Sequence, residues 1–336
     1  MTKYERFTLA AVQAAPVYYD REASTEKACK LIEEAAASGA TIAAFGETWL
    51  PGYPFFANYP ADSRWGSLAA RYLANAIDIP GPETARLCDA AKHAGIDVVI
   101  GVVERETRTS GTVYCTLLFI GREGRILGRH RKLKPTRAER TMWGEGDGSS
   151  LQVYERPYAR ISGLNCWEHN MVLPGYALME QGTQIHVAAW PGGEGSRQRV
   201  LSQAFGSQGA CYVIAAAGLG RPQDIPEDWR DMSGNWTGDS LIIDPWGNVI
   251  AGPAEGETIL FAEGSTETIM MAKAVCDVAG HYSRPDVLQL HVNQQPPARA
   301  VRHGQRTAVQ AAPIEGDGFQ ANGETEPAEA VVESER

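Results

Sequence analysis

Short apolar runs alternate with segments of helical periodicity along most of the chain, and this alternation restricts the fold more than any other feature. Phe7 to Ala14 has the pattern of a buried strand, Glu22 to Ala37 places apolar residues at helical spacing, and Thr41 to Phe45 is a second apolar run. Gly39 is positioned to end the helix. The chain therefore opens strand–helix–strand, which is typical of layered α/β proteins.

The same alternation predicts the elements of the next two hundred residues. Further helices are predicted at Arg64 to Ile77, Pro82 to His93, Val172 to Gln181, Gln198 to Gln208 and Thr266 to Val275. Further strands are predicted at Asp97 to Val103, Val113 to Ile120, Arg125 to Arg131, Arg160 to Cys166, Gln184 to Trp190, Cys211 to Ala216, Ser240 to Asp244, Val249 to Ala251 and Thr258 to Ala262. Hairpins mixed with helical crossovers favour mixed sheets, and the high strand content favours two packed sheets with helices outside.

The 336-residue chain changes character at about Asn293. Residues 1–293 have enough apolar material for one large core, and we expect a single domain there. From residue 294 onward Gln, Pro, Ala, Glu and Gly dominate, and seven acidic residues face one arginine after Pro313. Such a segment cannot bury enough apolar surface to offset the entropy of ordering it. Residues 294–336 are therefore predicted to form a disordered tail.

Composition and missing motifs exclude several classes of protein. The net charge is −10, and the body of the chain is mildly acidic, so nucleic acid is not an expected partner. No apolar stretch is long enough to cross a membrane, and the first residues lack the features of a secretion signal. The six cysteines include no C-x-x-C pair, so we expect reduced thiols, a cytoplasmic protein and no metal site. Phosphate-loop, dinucleotide, H-E-x-x-H and G-x-S-x-G motifs are absent.

Two predicted strands are each followed by a charged side chain that could take part in catalysis. Glu47 follows the run Thr41 to Phe45 and precedes an aromatic, proline-rich loop, so partial desolvation could raise its pKa toward that of a general base. Lys132 follows the strand Arg125 to Arg131 and could stabilise negative charge on a reacting atom. Taken alone, each segment is explained as well or better by a solvated surface residue.

Cys166 lies between the strand that begins at Arg160 and a helix that begins a few residues later. Backbone N–H groups and the helix dipole at such a position favour thiolate over thiol. An inert buried thiol is the alternative, and His169 leaves a cysteine–histidine pair open. His186 and His281 are interpreted as structural. The other five cysteines are interpreted as small core residues; they are Cys29, Cys88, Cys115, Cys211 and Cys276.

Several short motifs lie in order between about Phe7 and Asn293. They are F-G-E-T-W-L-P-G-Y-P at 45–54, H-R-K-L-K-P-T at 130–136 with E-R at 139–140, C-W-E-H at 166–169, Y-A-L at 176–178, Q-I-H-V-A-A-W-P at 184–191, G-H-Y at 280–282 and R-P-D at 284–286. Each motif alone has little specificity, but the set in this order and spacing resembles the nitrilase branch of the carbon–nitrogen hydrolase superfamily.

The resemblance implies a role for each matching residue. Glu47, Lys132 and Cys166 fall on the catalytic triad of the family, and Glu139 falls on its second active-site glutamate. Four aromatic residues fall where the family lines its substrate pocket, namely Tyr53, Trp143, Trp167 and Trp190. For these four, ordinary core packing is the alternative.

The resemblance also implies a fold and an activity. The fold would be a four-layer α-β-β-α sandwich with two mixed sheets, whose subunits pair and can grow into spiral homo-oligomers. The activity would be hydrolysis of an organic nitrile to the carboxylic acid and ammonia through a covalent cysteine thioimidate and thioester, with no cofactor. The aromatic loop after Glu47 favours an aryl or arylaliphatic nitrile. Departures include Cys115, where asparagine is usual, and F-G-S-Q-G at 205–209 in place of A-x-E-G.

Three alternatives to an organic nitrilase stay open. The motif set overlaps with that of cyanide dihydratases, which act on cyanide. An amidase or carbamoylase of the same superfamily is the second, although the C-W-E-H and W-P segments argue against it. A non-catalytic self-assembling protein is the third, and the complete triad argues against that one.

Overall fold

Two six-stranded sheets dominate the computed structural model, which describes residues 4–109, 111–193 and 195–296. In spatial order the first sheet contains β12 (Thr258–Ser265), β1 (Arg6–Gln13), β2 (Ile42–Phe45), β3 (Asp97–Arg105), β4 (Val113–Gly121) and β5 (Arg125–Arg131). The second contains β11 (Val249–Ala251), β10 (Leu241–Ile243), β9 (Tyr212–Ala217), β8 (Ile185–Trp190), β7 (Arg160–Asn165) and β6 (Tyr154–Glu155). The two-residue strand β6 was not predicted from the sequence.

Both sheets are mixed, as the hairpins and crossovers predict. Strands β1, β2 and β3 run parallel in the first sheet, and β7, β8 and β9 run parallel in the second. The remaining neighbours pair antiparallel, including β12, which returns from the end of the domain to pair with β1. The carboxyl ends of the parallel strands provide one edge in each sheet for functional side chains.

Six α-helices accompany the sheets. They are α1 (Arg21–Ala37), α2 (Ser63–Ala74), α3 (Pro82–Ala94), α4 (Val172–Glu180), α5 (Ser196–Gly209) and α6 (Thr266–Val275). Helix α1 begins where the side chain of Asp20 accepts a hydrogen bond from the N–H of Ala23, a common N-cap. Helix α2 ends three residues before the predicted Ile77, because the N–H of Ile77 donates to the carbonyl of Val103 instead.

Three apolar layers fix the order of sheets and helices. Ile32 of α1 and Leu87 of α3 pack on the outer face of the first sheet, and Leu178 of α4 and Phe205 of α5 pack on the outer face of the second. The inner faces of the two sheets meet in a third cluster, which includes Leu9, Ile42, Val99, Ile161, Ile185 and Ile214. The fold is therefore the four-layer α-β-β-α sandwich with two mixed sheets that the resemblance implies.

Two features of the chain complete the outline. No helix within the described residues combines the length and apolarity that crossing a bilayer requires. The predicted disorder of the tail begins at residue 294, and all but the first few of those residues lie outside the part that the structure describes.

A glycine pair lets the loop after β2 pass between the two sheets. A Cβ on Gly101 of β3 would lie 2.2 Å from the carbonyl oxygen of Gly46 and 2.5 Å from the nitrogen of Thr48. A Cβ on Gly46 would lie 2.6 Å from the carbonyl oxygen of Trp190 in the second sheet. These contacts are with backbone atoms, which cannot swing aside, so the position of the loop that carries Glu47 depends on both glycines.

We expect Gly101→Ala to displace the loop around Glu47. Forcing a methyl group into this contact should lower the free energy of unfolding by about 1–3 kcal/mol and should also reduce the hydrolytic activity that the resemblance implies. Gly66→Ala is the matched control, because a Cβ on Gly66 of α2 meets no atom within 4 Å. Urea unfolding followed by circular dichroism, with activity measured on the same samples, checks both effects. Equal stability and activity in the two variants would contradict the close contact.

Candidate active site

The side chains of Glu47, Lys132 and Cys166 follow the carboxyl ends of β2, β5 and β7. The first two strands belong to one sheet and the third to the other. Each of the three residues is at most 2% exposed. The two sheets are joined at this edge, where the N–H of Glu47 donates to the carbonyl of Trp190 over 3.0 Å. The site is therefore assembled across the interface of the two sheets.

The ammonium of Lys132 is the centre of the cluster. Its Nζ lies 2.6 Å from Oε1 of Glu47 and 2.8 Å from Oε2 of Glu139. Burial alone would lower the pKa of Lys132, but Glu47, the sulfur of Cys166 and Glu139 outweigh that effect and raise it well above its usual value. Lys132 is therefore charged at neutral pH, and Cys166 is among the groups that favour its charged form.

The carboxylate of Glu47 is held through one oxygen. Oε1 accepts from Lys132, whereas Oε2 is buried and has no hydrogen-bond partner among the described residues. Burial raises the pKa of Glu47 to about 7, against the opposing effect of Lys132. A carboxyl group with such a pKa can both accept and return a proton near neutral pH, as a general base must.

Glu139 is the second carboxylate partner of Lys132 and lies on a short 3-10 helix at Arg137–Thr141. The hydroxyl of Tyr53 donates to its Oε1 over 3.0 Å, and the N–H of Thr136 donates to its Oε2 over 2.6 Å. Because Glu139 accepts from these two donors and from Lys132, it stays oriented toward the ammonium. The second glutamate of the resemblance thus lies in contact with the same lysine.

Cys166 occupies a sharp turn between β7 and a 3-10 helix at Cys166–Asn170. Its φ of 47° is left-handed, a conformation that is strained for a residue with a side chain. The Nδ1 of His169 donates to the carbonyl of Cys166 over 2.7 Å, and this bond supports the turn. The structure thus gives the nucleophile position predicted from the sequence a defined backbone geometry.

His169 does not form the cysteine–histidine pair that the sequence left open. Both of its ring nitrogens are occupied, Nδ1 by the carbonyl of Cys166 and Nε2 by Nε2 of His186 at 3.0 Å. Burial lowers the pKa of His169 to about 4, so the ring is neutral at neutral pH. His169 therefore supports the backbone of Cys166 rather than removing the proton of its thiol.

Glu168 joins the segment after Lys132 to the segment before Cys166, and the sequence analysis did not single it out. Its fully buried carboxylate accepts from the N–H of Leu133 over 2.7 Å and from the N–H of Asn165 over 2.8 Å. Nε2 of His130 lies 3.0 Å from the same group. Leu133 follows Lys132 and Asn165 precedes Cys166, so one carboxylate sets the spacing between ammonium and sulfur. The pattern N-x-x-E at 165–168, a capping box, was the available signal.

Aromatic rings enclose the region around Tyr53. Trp143 packs edge-on against Tyr53 with ring centroids 5.7 Å apart, and the Nζ of Lys132 lies 5.3 Å from the centroid of Trp143. Trp236 lies 4.7 Å from Tyr53 and was missed by the sequence analysis, since nothing in its loop marks it as part of this cluster. Tyr53 and Trp143 therefore lie beside the charged cluster, and their role in lining a substrate pocket stays a prediction.

Trp167 and Trp190, the other two predicted pocket residues, do not belong to the aromatic cluster around Tyr53. Trp167 is half-buried beneath the guanidinium of Arg197, which lies 4.4 Å from the ring centroid. Trp190 is fully buried, stacks on His169 at 5.3 Å and donates from Nε1 to Ser202 over 3.3 Å. The ring of Trp190 thus packs in the core behind Cys166, and its carbonyl is the group that contacts the Glu47 loop.

The interpretation of Cys115 as only a small core residue was wrong. All six cysteines are free thiols and four are buried, as expected, but Cys115 is more than a small core residue. Its Sγ lies 3.3 Å from Oε1 of Glu47. Cys115 lies in mid-strand on β4, and its contact depends on strand pairing that no local pattern reveals.

In residues 4–109, 111–193 and 195–296, no group of three or more His, Cys, Asp or Glu side chains is arranged to hold a metal ion.

The family is established by comparison with known proteins. Residues 8–273 match the model of a family described as carbon–nitrogen hydrolase. The chain belongs to the carbon–nitrogen hydrolase family. It is 56% identical over 304 residues to a protein named nitrilase 2 from an unknown prokaryotic organism, covering 90% of this chain and 97% of that one. It is 37% identical over 308 residues to the aliphatic nitrilase of Rhodococcus rhodochrous, covering 86% and 83%.

Solved structures of carbon–nitrogen hydrolases share the fold at low sequence identity. Nit3 of Saccharomyces cerevisiae, a member of branch 10 of the nitrilase superfamily, superposes with a TM-score of 0.66 at 17% identity, covering 83% of this chain and 97% of that one. The NitFhit protein of C. elegans superposes with a TM-score of 0.69 at 17% identity, covering 89% and 70%. The family and the fold that the motifs imply are thus confirmed.

We expect Glu168→Gln to reduce turnover without removing any group of the triad. The amide NH₂ would face N–H donors, so the free energy of unfolding should fall by about 1–3 kcal/mol. The change in spacing between Lys132 and Cys166 should lower kcat about tenfold or more, with a smaller change in KM. Glu180→Gln on the exposed end of α4 is the control. Steady-state kinetics with normal kcat for Glu168→Gln would argue against the bridging role.

Proposed function

We propose that this carbon–nitrogen hydrolase is a nitrilase, which converts an organic nitrile to the carboxylic acid and ammonia. The proposal is carried by one observation, the buried Glu47–Lys132–Glu139 cluster beside Cys166. This cluster supplies a nucleophile, a base with a raised pKa and a fixed positive charge, which covalent hydrolysis requires. The 56% identity to a protein named nitrilase supports the substrate class.

The first chemical step forms a thioimidate. Glu47 takes the thiol proton of Cys166, and the sulfur attacks the nitrile carbon. One π bond of the nitrile breaks as the C–S bond forms, and the nitrogen receives the proton, which gives R–C(=NH)–S–Cys. Lys132 and the backbone N–H near Trp167 stabilise the negative charge that develops on nitrogen.

Two molecules of water complete the reaction. Glu47 accepts a proton from the first water, whose oxygen adds to the thioimidate carbon, and returns it to the nitrogen, which becomes NH₂. The proton of the new hydroxyl group then passes through Glu47 to the nitrogen, and as the C=O bond forms the C–N bond breaks and ammonia leaves. A thioester remains. The second water attacks the thioester carbon in the same way, and the C–S bond breaks to release the carboxylic acid and the thiol of Cys166. The chain's own side chains suffice for every proton transfer in this sequence.

An aryl or arylaliphatic nitrile is the proposed substrate class. Tyr53, Trp143 and Trp236 provide aromatic faces beside Lys132, and such faces favour flat apolar groups. Relatives that are named aliphatic nitrilases make short alkyl nitriles the main competitor. Activity must therefore be compared between aromatic nitriles, short alkyl nitriles, cyanide and the corresponding amides.

Two further expectations stay predictions. Homo-oligomers are expected, and Val172, Leu173 and Val200 are exposed apolar side chains on α4 and α5 that an interface of this kind would bury. The cytoplasmic location also stays a prediction.

We expect Cys166→Ala to abolish hydrolysis while leaving the fold intact, because the variant lacks the nucleophile. Ammonia release is measured over aryl, arylaliphatic and short alkyl nitriles, cyanide and the corresponding amides, and circular dichroism monitors the fold. Cys211→Ala is the matched control, since Cys211 is an equally buried thiol at the far end of β8 and β9. Measurable turnover by Cys166→Ala would reject the covalent mechanism, and turnover of amides or cyanide alone would reject the nitrile assignment.

The pH dependence of the wild-type enzyme tests the base. Only the ionised form of Glu47 can accept a proton, and its pKa is about 7. We therefore expect kcat/KM to rise with pH through about 7 and to level off above it. Glu47→Gln should abolish turnover, whereas Glu180→Gln should leave the acid limb in place. An active Glu47→Gln enzyme with an unchanged limb would assign the base to another group.

A further inference from the structure

The thiol of Cys115 lies against the carboxylate of Glu47, and we propose that Cys115 is a positioning residue for this base. Its S–H holds Oε1, so that Oε2 is the oxygen that exchanges protons with the nucleophile and water. The inference rests on the proposed role of Glu47 as general base. It assigns a task to the thiol of Cys115, which the structure shows in hydrogen-bond contact with the charged cluster.

The geometry supports a single orientation of the Glu47 carboxylate. Cys115 Sγ donates to Oε1 over 3.3 Å, and Lys132 Nζ donates to the same oxygen over 2.6 Å. Oε2 is buried, and within the described part of the chain it has no hydrogen-bond partner. A partial rotation of the carboxylate would weaken both bonds at once, because both donors point at the same oxygen. Oε2 is therefore the oxygen available to a reacting group.

Cys115 also fixes the second charged partner through its main chain. The carbonyl of Cys115 accepts from the N–H of Lys132 over 2.8 Å. One residue of β4 thus contacts Glu47 through its side chain and Lys132 through its backbone. Cys115 is fully buried, so neither contact competes with water.

A thiol suits this task because it is a weak donor. A hydroxyl or an amide N–H in the same place would stabilise the carboxylate more strongly and lower its basicity. The thiol restricts rotation with a smaller effect on proton affinity. Burial raises the pKa of Cys115 well above its usual value, so the group keeps the proton that it donates.

Several ionisable groups lie on the elements around Glu47. Lys132 after β5, Glu139 of the 3-10 helix and Cys115 of β4 act on its pKa. Tyr53 of the loop after β2 and Tyr72 of α2 are influenced by Glu47 in turn, and Cys166 acts on Lys132. The substitutions of Cys115 leave all the others in place. A change in the acid limb that depends on the side chain at position 115 is therefore attributable to the Cys115–Glu47 contact.

The experiment compares Cys115→Ala and Cys115→Ser with Cys211→Ala and Cys211→Ser in the full-length enzyme. Alanine removes the donor, so the acid limb of kcat/KM should move up by about 0.5–1 pH unit and kcat should fall about tenfold. Serine keeps a hydrogen-bond donor, so the acid limb of Cys115→Ser should lie at the wild-type pH or at a lower pH. Both Cys211 variants should keep the wild-type limb.

The outcomes separate the inference from the proposed function. An unmoved limb in Cys115→Ala, or the same upward shift in alanine and serine variants, would overturn the positioning role, because a packing defect does not distinguish a donor from a methyl group. If Glu47→Gln stays active, the proposed base is wrong whatever Cys115 does. If Glu47→Gln is inactive and the acid limb of kcat/KM shifts according to the hydrogen-bond donor at position 115, then Glu47 is the base and Cys115 positions it.

Discussion

The buried ammonium of Lys132 is the interaction on which the rest of the site depends. Removing an ammonium from water costs several kcal/mol even after relaxation, and this cost is offset only where charged partners are close and well oriented. Glu47 and Glu139 meet that condition at 2.6 and 2.8 Å. Without the lysine, the two carboxylates would face each other in a buried region with no positive charge between them.

Because the charged groups around Lys132 must be well oriented, many of the surrounding hydrogen bonds hold these groups in place. Glu139 is fixed by Tyr53 and Thr136, and Glu168 ties the segment after Lys132 to the segment before Cys166. Such second contacts limit the movement of catalytic groups to fractions of an ångström. The strained φ of Cys166 fits the same scheme, because the hydrogen bond from His169 and the adjoining helix hold a conformation that the residue alone would avoid.

The sequence predicted the elements well because apolar periodicity is a local property. Strand β5 was predicted with its observed ends, and Glu47, Lys132 and Cys166 were recognisable because each follows a strand and lies in a motif. The contacts of Cys115 and Trp236 were not predictable, since they depend on residues 68 or more positions away and leave no periodic trace. The pairing of β12 with β1 is of the same kind: alternation predicts both strands but not their adjacency.

The return of β12 to β1 has a consequence for the nascent chain. Arg6 pairs with Ser265, so the first sheet is incomplete at one edge until almost the whole domain has left the ribosome. The Glu47 loop needs the carbonyl of Trp190 from the second sheet for its N–H. Early translation products therefore carry Glu47 without the carbonyl of Trp190, and the segment after Lys132 without the carboxylate of Glu168. The geometry of the candidate site is therefore completed late in synthesis, together with closure of the sandwich.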